Sequence, residues 1–199
     1  PREALGVFAV LSLAAFGLVL LLNWQTVALS VVALALVVVY PFMKRYTYVP
    51  QLFLGAAFGW AVPMAFMAVT SSVPPLAWTL FGAALLWALI YDTQYAMVDR
   101  DDDLKIGIKS TAILFGRADL WVIAGLQAAM LTLLAYVGVA AGRGGFYFAG
   151  LAGAAAMAVY QQYLIGDRLP TACFQAFLNN NYYGMAVFVG LVLDYAVGG

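Results

Sequence analysis

The chain has 199 residues, 66% of them hydrophobic and 9% charged, with a net charge of zero. Soluble chains carry roughly a quarter charged residues, so nine bases and nine acids cannot cover a water-facing surface of this size, and a soluble globular domain is excluded. Disorder is excluded by the same apolar excess, and the charge balance leaves no basic footprint for nucleic acid.

The single cysteine, Cys173, rules out a disulfide framework, and the absence of histidine removes the common zinc and His-based catalytic schemes. What remains is an all-α, polytopic membrane helical bundle embedded in a lipid bilayer. Seven runs approach the roughly 20 residues that cross about 30 Å of hydrocarbon: 4–22, 27–42, 51–69, 76–91, 118–139, 146–165 and 182–197. Pro63 inside the third predicts a kink there. The Pro1-Arg2-Glu3 flank has neither the basic cluster nor the cleavage site of a signal peptide, and reads as cut from something longer. Residues 1–199 read as one membrane-embedded domain without internal repeats.

Alternate loops separate the basic residues. Arg2, Lys44, Arg45, Arg100, Lys105, Lys109, Arg117 and Arg168 fall on one side and Arg143 alone on the other. Positive charge is retained in the cytoplasm, so the richer side faces inward and the C-terminus outward.

Five of the nine acids lie in Asp92–Asp103, at the cytoplasmic end of the fourth run, and no aspartate precedes them. On a continuous helix Asp92, Asp99 and Asp103 would fall within about 40° of one another, with Tyr95 beside them. Such a stripe is repulsive and costly near lipid, and a hard divalent cation would offset the cost. The plainer alternative is a solvated acidic loop neutralised by Arg100, Lys105 and Lys109. Calcium-loop spacing fails, because Leu104 and Ser110 stand where Gly and Glu are required. Mg²⁺ takes one or two carboxylates and completes its shell with water and substrate phosphates. The Asp99/Asp103 pair therefore suggests a diphosphate whose tail lies in the membrane.

On the same side, Tyr40-Pro-Phe-Met-Lys44-Arg45 ends the second run. Lys44 and Arg45 are either topology anchors or cations for a diphosphate and a carboxylate, the latter suiting the planar fork of arginine. Asn179-Asn180-Asn181 reads as a cytoplasmic loop that caps the last helix or lines the same cavity.

These strings resemble the UbiA-type 4-hydroxybenzoate polyprenyltransferases. Tyr91-Asp92-Thr-Gln-Tyr95-Ala-Met-Val-Asp99-Arg-Asp-Asp-Asp103, followed by Lys105-Ile-Gly-Ile-Lys109, is similar to that family's second aspartate motif, and Tyr40-x-x-x-Lys44 to its Tyr-x-x-x-Lys motif. Gly55-Ala-Ala-Phe-Gly-Trp, Pro63-Met-Ala-Phe and Asn179-Asn-Asn-Tyr extend the similarity along the chain.

The resemblance implies a nine-helix bundle in the bacterial inner membrane with a cytoplasmic active site. It implies Mg²⁺-dependent transfer from polyprenyl diphosphate to the ring carbon ortho to the hydroxyl of 4-hydroxybenzoate, on the way to ubiquinone. By motif position Asp99 and Asp103 would bind the metal, Asp92 would be a further active-site carboxylate and Lys44 would assist the diphosphate. Arg45 would meet the benzoate carboxylate, and Tyr40, Tyr95, Lys105, Lys109 and Asn180 would line the substrates. The family's first motif, Asn-Asp-x-x-Asp-x-x-x-Asp, has no counterpart here. Seven runs and one motif therefore predict the C-terminal portion of such an enzyme, lacking two helices and half of the metal site. Alternatives are a different aromatic acceptor, a catalytically dead fragment, or a cation-binding membrane transporter.

Overall fold

The computed structural model describes residues 2–197, with side chains from Glu3 onward, so the expectation for the Pro1-Arg2 flank lies outside the described residues. The rods, in chain order, are α1 (Arg2–Val19), α2 (Trp24–Tyr46), a broken rod of α3 (Pro50–Gly59) and α4 (Ala61–Thr70), and α5 (Pro75–Val98). Two short helices follow, α6 (Arg100–Ile106) and α7 (Thr111–Phe115), and then α8 (Asp119–Ala140), α9 (Gly145–Ile165) and α10 (Pro170–Val197).

Seven long rods thus occupy the seven expected runs. Four stretches are long and apolar enough to cross a membrane: Trp24–Tyr46, Pro50–Thr70, Pro75–Val98 and Thr111–Ala140. α1 is short, and Gln161, Gln162 and Asn179–Asn181 dilute the apolar runs of α9 and α10, so the expected count of seven crossings is not met by this measure. The chain is nonetheless a multi-pass membrane protein.

Local chemistry sets the boundaries. Prolines, which need no N–H at a helix start, open α3, α5 and α10. Asn23 caps α2 by accepting from Thr26 N at 2.9 Å, and its amide donates to Met67 O at 2.8 Å, which ties the start of α2 to the end of α4. The expected kink is present, one turn before Pro63. The helix breaks at Trp60 because Pro63 offers no N–H to the Gly59 carbonyl and its ring crowds that oxygen. The Trp60 indole, donating to Leu29 O at 3.0 Å, fixes the bend against α2.

Two expectations are corrected. The segment after Asp92 is not one continuous helix: Asp99 (φ −95°, ψ 2°) separates α5 from α6. Nor is Asn179–Asn181 a loop. α10 runs unbroken from Pro170, and these residues lie inside it, because Asn179 and Asn180 find partners on neighbouring helices and need no turn to satisfy them.

The rods alternate in direction and give the bundle two ends. At one end lie the last turn of α2, the starts of α3 and α8, and α6 and α7; the other holds the α4–α5 and α8–α9 turns. The core runs along α5, α8, α9 and α10 through Ile90, Met97, Ile123, Met130, Ile165 and Tyr183. α3 leans on α5 at Gly55, where a side-chain Cβ would stand 2.8 Å from Leu85 O and 3.2 Å from Ala88 Cβ. Gly55→Val should therefore push α3 off α5 and destabilise the solubilised protein by about 1–3 kcal/mol, measured by thermal unfolding in detergent; an unchanged midpoint would show that the crossing tolerates the extra volume.

Candidate functional site

The site forms where α2, α3 and α5 meet at the aspartate-rich end. Asp92 is half-buried on α5 and Lys44 is exposed on the last turn of α2. The Lys44 ammonium is within electrostatic reach of both Asp92 on the long helix and Asp103 on α6. The Asp92 charge also reaches the phenols of Tyr40 and Tyr91.

From α3, Gln51 is 1% exposed and lies against Asp92. The Gly55 crossing one turn later holds it there. Gln51 is a site residue that sequence reading missed. Its signal was an amide one residue after the proline that opens an apolar helix.

The break at Asp99 shapes the α6 half of the site. Asp99 occupies the cap position of α6 yet makes no capping hydrogen bond with its side chain, which leaves both carboxylate oxygens available. Its backbone carbonyl accepts from Asp103 N at 2.8 Å, which sets the two acids one turn apart. Burial raises the Asp103 carboxyl above the usual carboxylate range, Lys44 opposes that rise, and the Asp99 and Asp102 charges add to it. Like charges held at such a cost favour an added cation. Among the described residues no three His, Cys, Asp or Glu side chains converge as a complete metal cage. The donor set is a pair, which fits an ion that takes its remaining ligands from substrate oxygens and water.

The other expected residues are placed as follows. Arg45 is exposed beside Lys44. Lys105 pairs with Asp102 at 2.8 Å, both in solvent, and the pair holds the Asp102 carboxyl below its ordinary range. Lys109 donates to Tyr46 O at 3.4 Å and lies 5.2 Å over the Tyr48 ring, while its backbone N–H donates to Lys44 O at 3.2 Å. It thereby fastens the α6–α7 loop to the end of α2. Tyr95 does not join the aspartates; its ring meets Phe174 and Phe177 of α10, with centroids at 6.3 and 5.2 Å.

Asn180 is buried in a chain of amides. Its Nδ2 donates to Gln94 Oε1 at 2.7 Å and its Oδ1 accepts from Trp87 Nε1 at 3.1 Å. Gln94 and Gln127 both donate to Gln161 Oε1, and Gln161 donates to Asn179 Oδ1 at 3.1 Å.

A second feature that sequence reading missed is Asp119, fully buried at the start of α8. It accepts from Arg100 and from Arg168, whose Nη2 donates at 2.8 Å. This cluster closes the same end of the bundle beside the site.

The comparisons with known proteins agree with this geometry. The model of the UbiA prenyltransferase family matches residues 1–186. The chain belongs to the UbiA prenyltransferase family. The 4-hydroxybenzoate octaprenyltransferase of Alkalilimnicola ehrlichii is 62% identical over 198 residues, covering 100% of this chain and 68% of the relative. That of Methylococcus capsulatus is 59% identical over 198 residues, with 100% and 68% covered.

Among solved structures, the apo structure of a UbiA homologue from Aeropyrum pernix K1 aligns with a TM-score of 0.83 at 27% identity, over 98% of this chain and 73% of that one. A digeranylgeranylglyceryl phosphate synthase, at 18% identity and a TM-score of 0.72, covers 97% of this chain and 69% of its own and shares the fold. The protein is therefore a membrane prenyltransferase, and the prenyltransferase fold accounts for the rods described above.

Removing the buried anion tests the ion cluster. Asp119→Asn leaves Arg100 and Arg168 facing each other without a counter-charge, and is expected to cost about 3 kcal/mol, read as a lowered unfolding midpoint in detergent. Full retention of stability would show the cluster to be solvated rather than structural.

Proposed function

We propose that this prenyltransferase moves a polyprenyl group from polyprenyl diphosphate to the ring of 4-hydroxybenzoate, on the way to ubiquinone, with Mg²⁺ as its cofactor. The observation that carries the reading is Lys44 within electrostatic reach of both Asp92 and Asp103, at the end of the bundle where Asp99 also stands. It occurs in a chain about 60% identical along its length to proteins that bear that activity in their names.

The chemistry that Mg²⁺ supplies when bound is neutralisation of the diphosphate's growing negative charge. Asp99 and Asp103 are the carboxylates assigned to hold it. Lys44 draws the diphosphate toward α2 and stabilises it as it leaves. Arg45, exposed on the adjacent position, clamps the benzoate carboxylate with its planar fork. The ring carbon ortho to the hydroxyl then bonds to the allylic carbon freed from diphosphate. The proton which that ring carbon loses passes to Asp92, held by Gln51 against α3. The phenols of Tyr40 and Tyr91 lie within electrostatic reach of Asp92, and aromatic rings at such a place are suited to an allylic cation. Tyr95, Lys105, Lys109 and Asn180 support these residues through the contacts above and are not assigned to substrate.

The site opens toward the cytoplasm of a bacterial inner membrane. Eight of the nine basic residues stand in segments at this end by sequence, in keeping with the retention of positive charge inside.

In membranes holding the protein, Asp99→Asn is expected to lower prenyl transfer at least about a hundredfold, and a chelator should abolish transfer until Mg²⁺ is returned. Undiminished activity in either case overturns the metal assignment. Offering 4-hydroxybenzoate beside a dihydroxynaphthoate and homogentisate to one preparation tests the acceptor, with product expected from the first alone.

A further inference from the structure

The acid string carries its own competitor for a metal ion. Arg100 opens α6, directly after Asp99 and three residues before Asp103. On a helix, residues three apart are neighbours, and an acid and a base at that spacing pair. The next base in the string does so, since Lys105 pairs with Asp102 at 2.8 Å. By the same rule Arg100 would pair with Asp103 and take up one of the two carboxylates assigned to the metal.

Arg100 pairs elsewhere. Its Nη2 donates to Oδ2 of Asp119, at the start of α8. Asp119 is fully buried and the Arg100 side chain is 21% exposed, whereas Asp102 and Lys105 lie in solvent. The Arg100 Nε is buried without a partner, so Asp119 is the one acceptor that holds this guanidinium among the described residues.

The rest of the cluster orients Asp119 for that contact. Its Oδ1 accepts from Leu120 N and from Arg168 Nη2, each at 2.8 Å, and the Arg168 Nε lies 3.1 Å from both oxygens. Oδ2 is the oxygen left for Arg100. Arg168 reaches this place from a left-handed backbone, with φ at 54°, a conformation that is costly for a residue with a side chain. One arginine suffices to balance one buried carboxylate. The capture of a second has a consequence beyond neutralising Asp119.

We infer that Asp119 is a positioning residue for metal binding: by holding Arg100 on α8 it keeps that cation off Asp103 and leaves the Asp99/Asp103 pair free for a divalent ion. The inference rests on the metal assignment made above and deepens it, because it gives the reason that the pair is not quenched from within its own helix. The residue that leaves the carboxylates available stands on another helix and touches neither of them.

The test reads binding of Mn²⁺ alone to the protein in nanodiscs, from the paramagnetic resonance signal of the free ion, beside the unfolding midpoint of each variant. Asp119→Asn releases Arg100 and is expected to weaken Mn²⁺ binding about tenfold, equivalent to about 1.4 kcal/mol. Asp167→Asn removes one negative charge from an exposed position just before Arg168; salt screens such a charge, and the affinity should stay within about twofold of wild type. Asp119→Asn/Arg100→Gln also removes the released cation. Its affinity should return to that of wild type while its midpoint stays below it, a split that a purely structural role for Asp119 does not produce.

An unchanged affinity in Asp119→Asn overturns the proposal, and so does a double variant that binds Mn²⁺ as weakly as the single one. If Asp119→Asn does not fold, Asp119→Asn/Arg168→Gln, in which no two arginines share the cluster, takes its place with the same expected loss and the same recovery on adding Arg100→Gln. Absence of Mn²⁺ binding by wild type overturns the metal assignment and the proposal with it. Binding by wild type that is equal in every variant overturns the positioning role alone.

Discussion

Side-chain amides with no water to bind must bind one another, and the centre of this bundle is organised around that constraint. Gln94 on α5, Gln127 on α8, Gln161 and Gln162 on α9, and Asn179 and Asn180 on α10 form one connected set of hydrogen bonds, with distances from 2.7 to 3.1 Å. An unmade hydrogen bond among apolar side chains costs about 1–3 kcal/mol, so each amide restricts the rotation and depth of the helix that carries it. The network thereby fixes α5, and α5 carries Asp92 at one end. The chemistry of the site depends on a helix whose register is set by groups that take no part in the chemistry.

Much of this was legible in the residues. Composition dictated helices in lipid, and the long rods lie where apolar runs predicted them. The Asp92–Asp103 string and Tyr40-x-x-x-Lys44 pointed to one end of the bundle, and the structure brings Lys44 to Asp92 and Asp103 there. What sequence could not show was set by three-dimensional partners. Asn179–Asn181 looked like a loop because three consecutive asparagines are poor helix formers, yet bonds to α5 and α9 make the helix the better state. Asp99 looked like the middle of a helical stripe, but the chain bends there and carries α6 away from the axis of α5. Gln51 and Asp119 gave only faint signals, a lone amide and a lone acid at helix starts, because their partners lie on other helices.

The two ends handle charge differently. At the aspartate-rich end, Asp119 neutralises Arg100 and Arg168 while Lys44, Arg45, Asp99 and Asp103 are left facing outward or one another. The first group closes the protein, and the second remains available to ligands. Lys109 joins the two by tying the loop after α6 to the end of α2. Movement of α6 is therefore coupled to the turn that carries Lys44, and the carboxylates of α6 and the ammonium of Lys44 are carried by one tethered unit.

At the opposite end Asp194 does the equivalent work with fewer groups. It accepts from Gly144 N at 2.9 Å and from Tyr147 N at 3.3 Å, and Arg143 lies 3.8 Å from it and 4.1 Å over the Tyr195 ring. Gly150 and Gly190 let α9 and α10 approach to backbone contact between these anchors. Neither helix is rich enough in apolar residues to enter lipid as readily as α2. As an antiparallel pair, however, they carry their own counter-charge: the acid near the end of one stands against the arginine before the other, and the bare amides at the start of α9 are bonded to the same carboxylate, so this end of the hairpin presents a closed ion pair rather than a lone carboxylate.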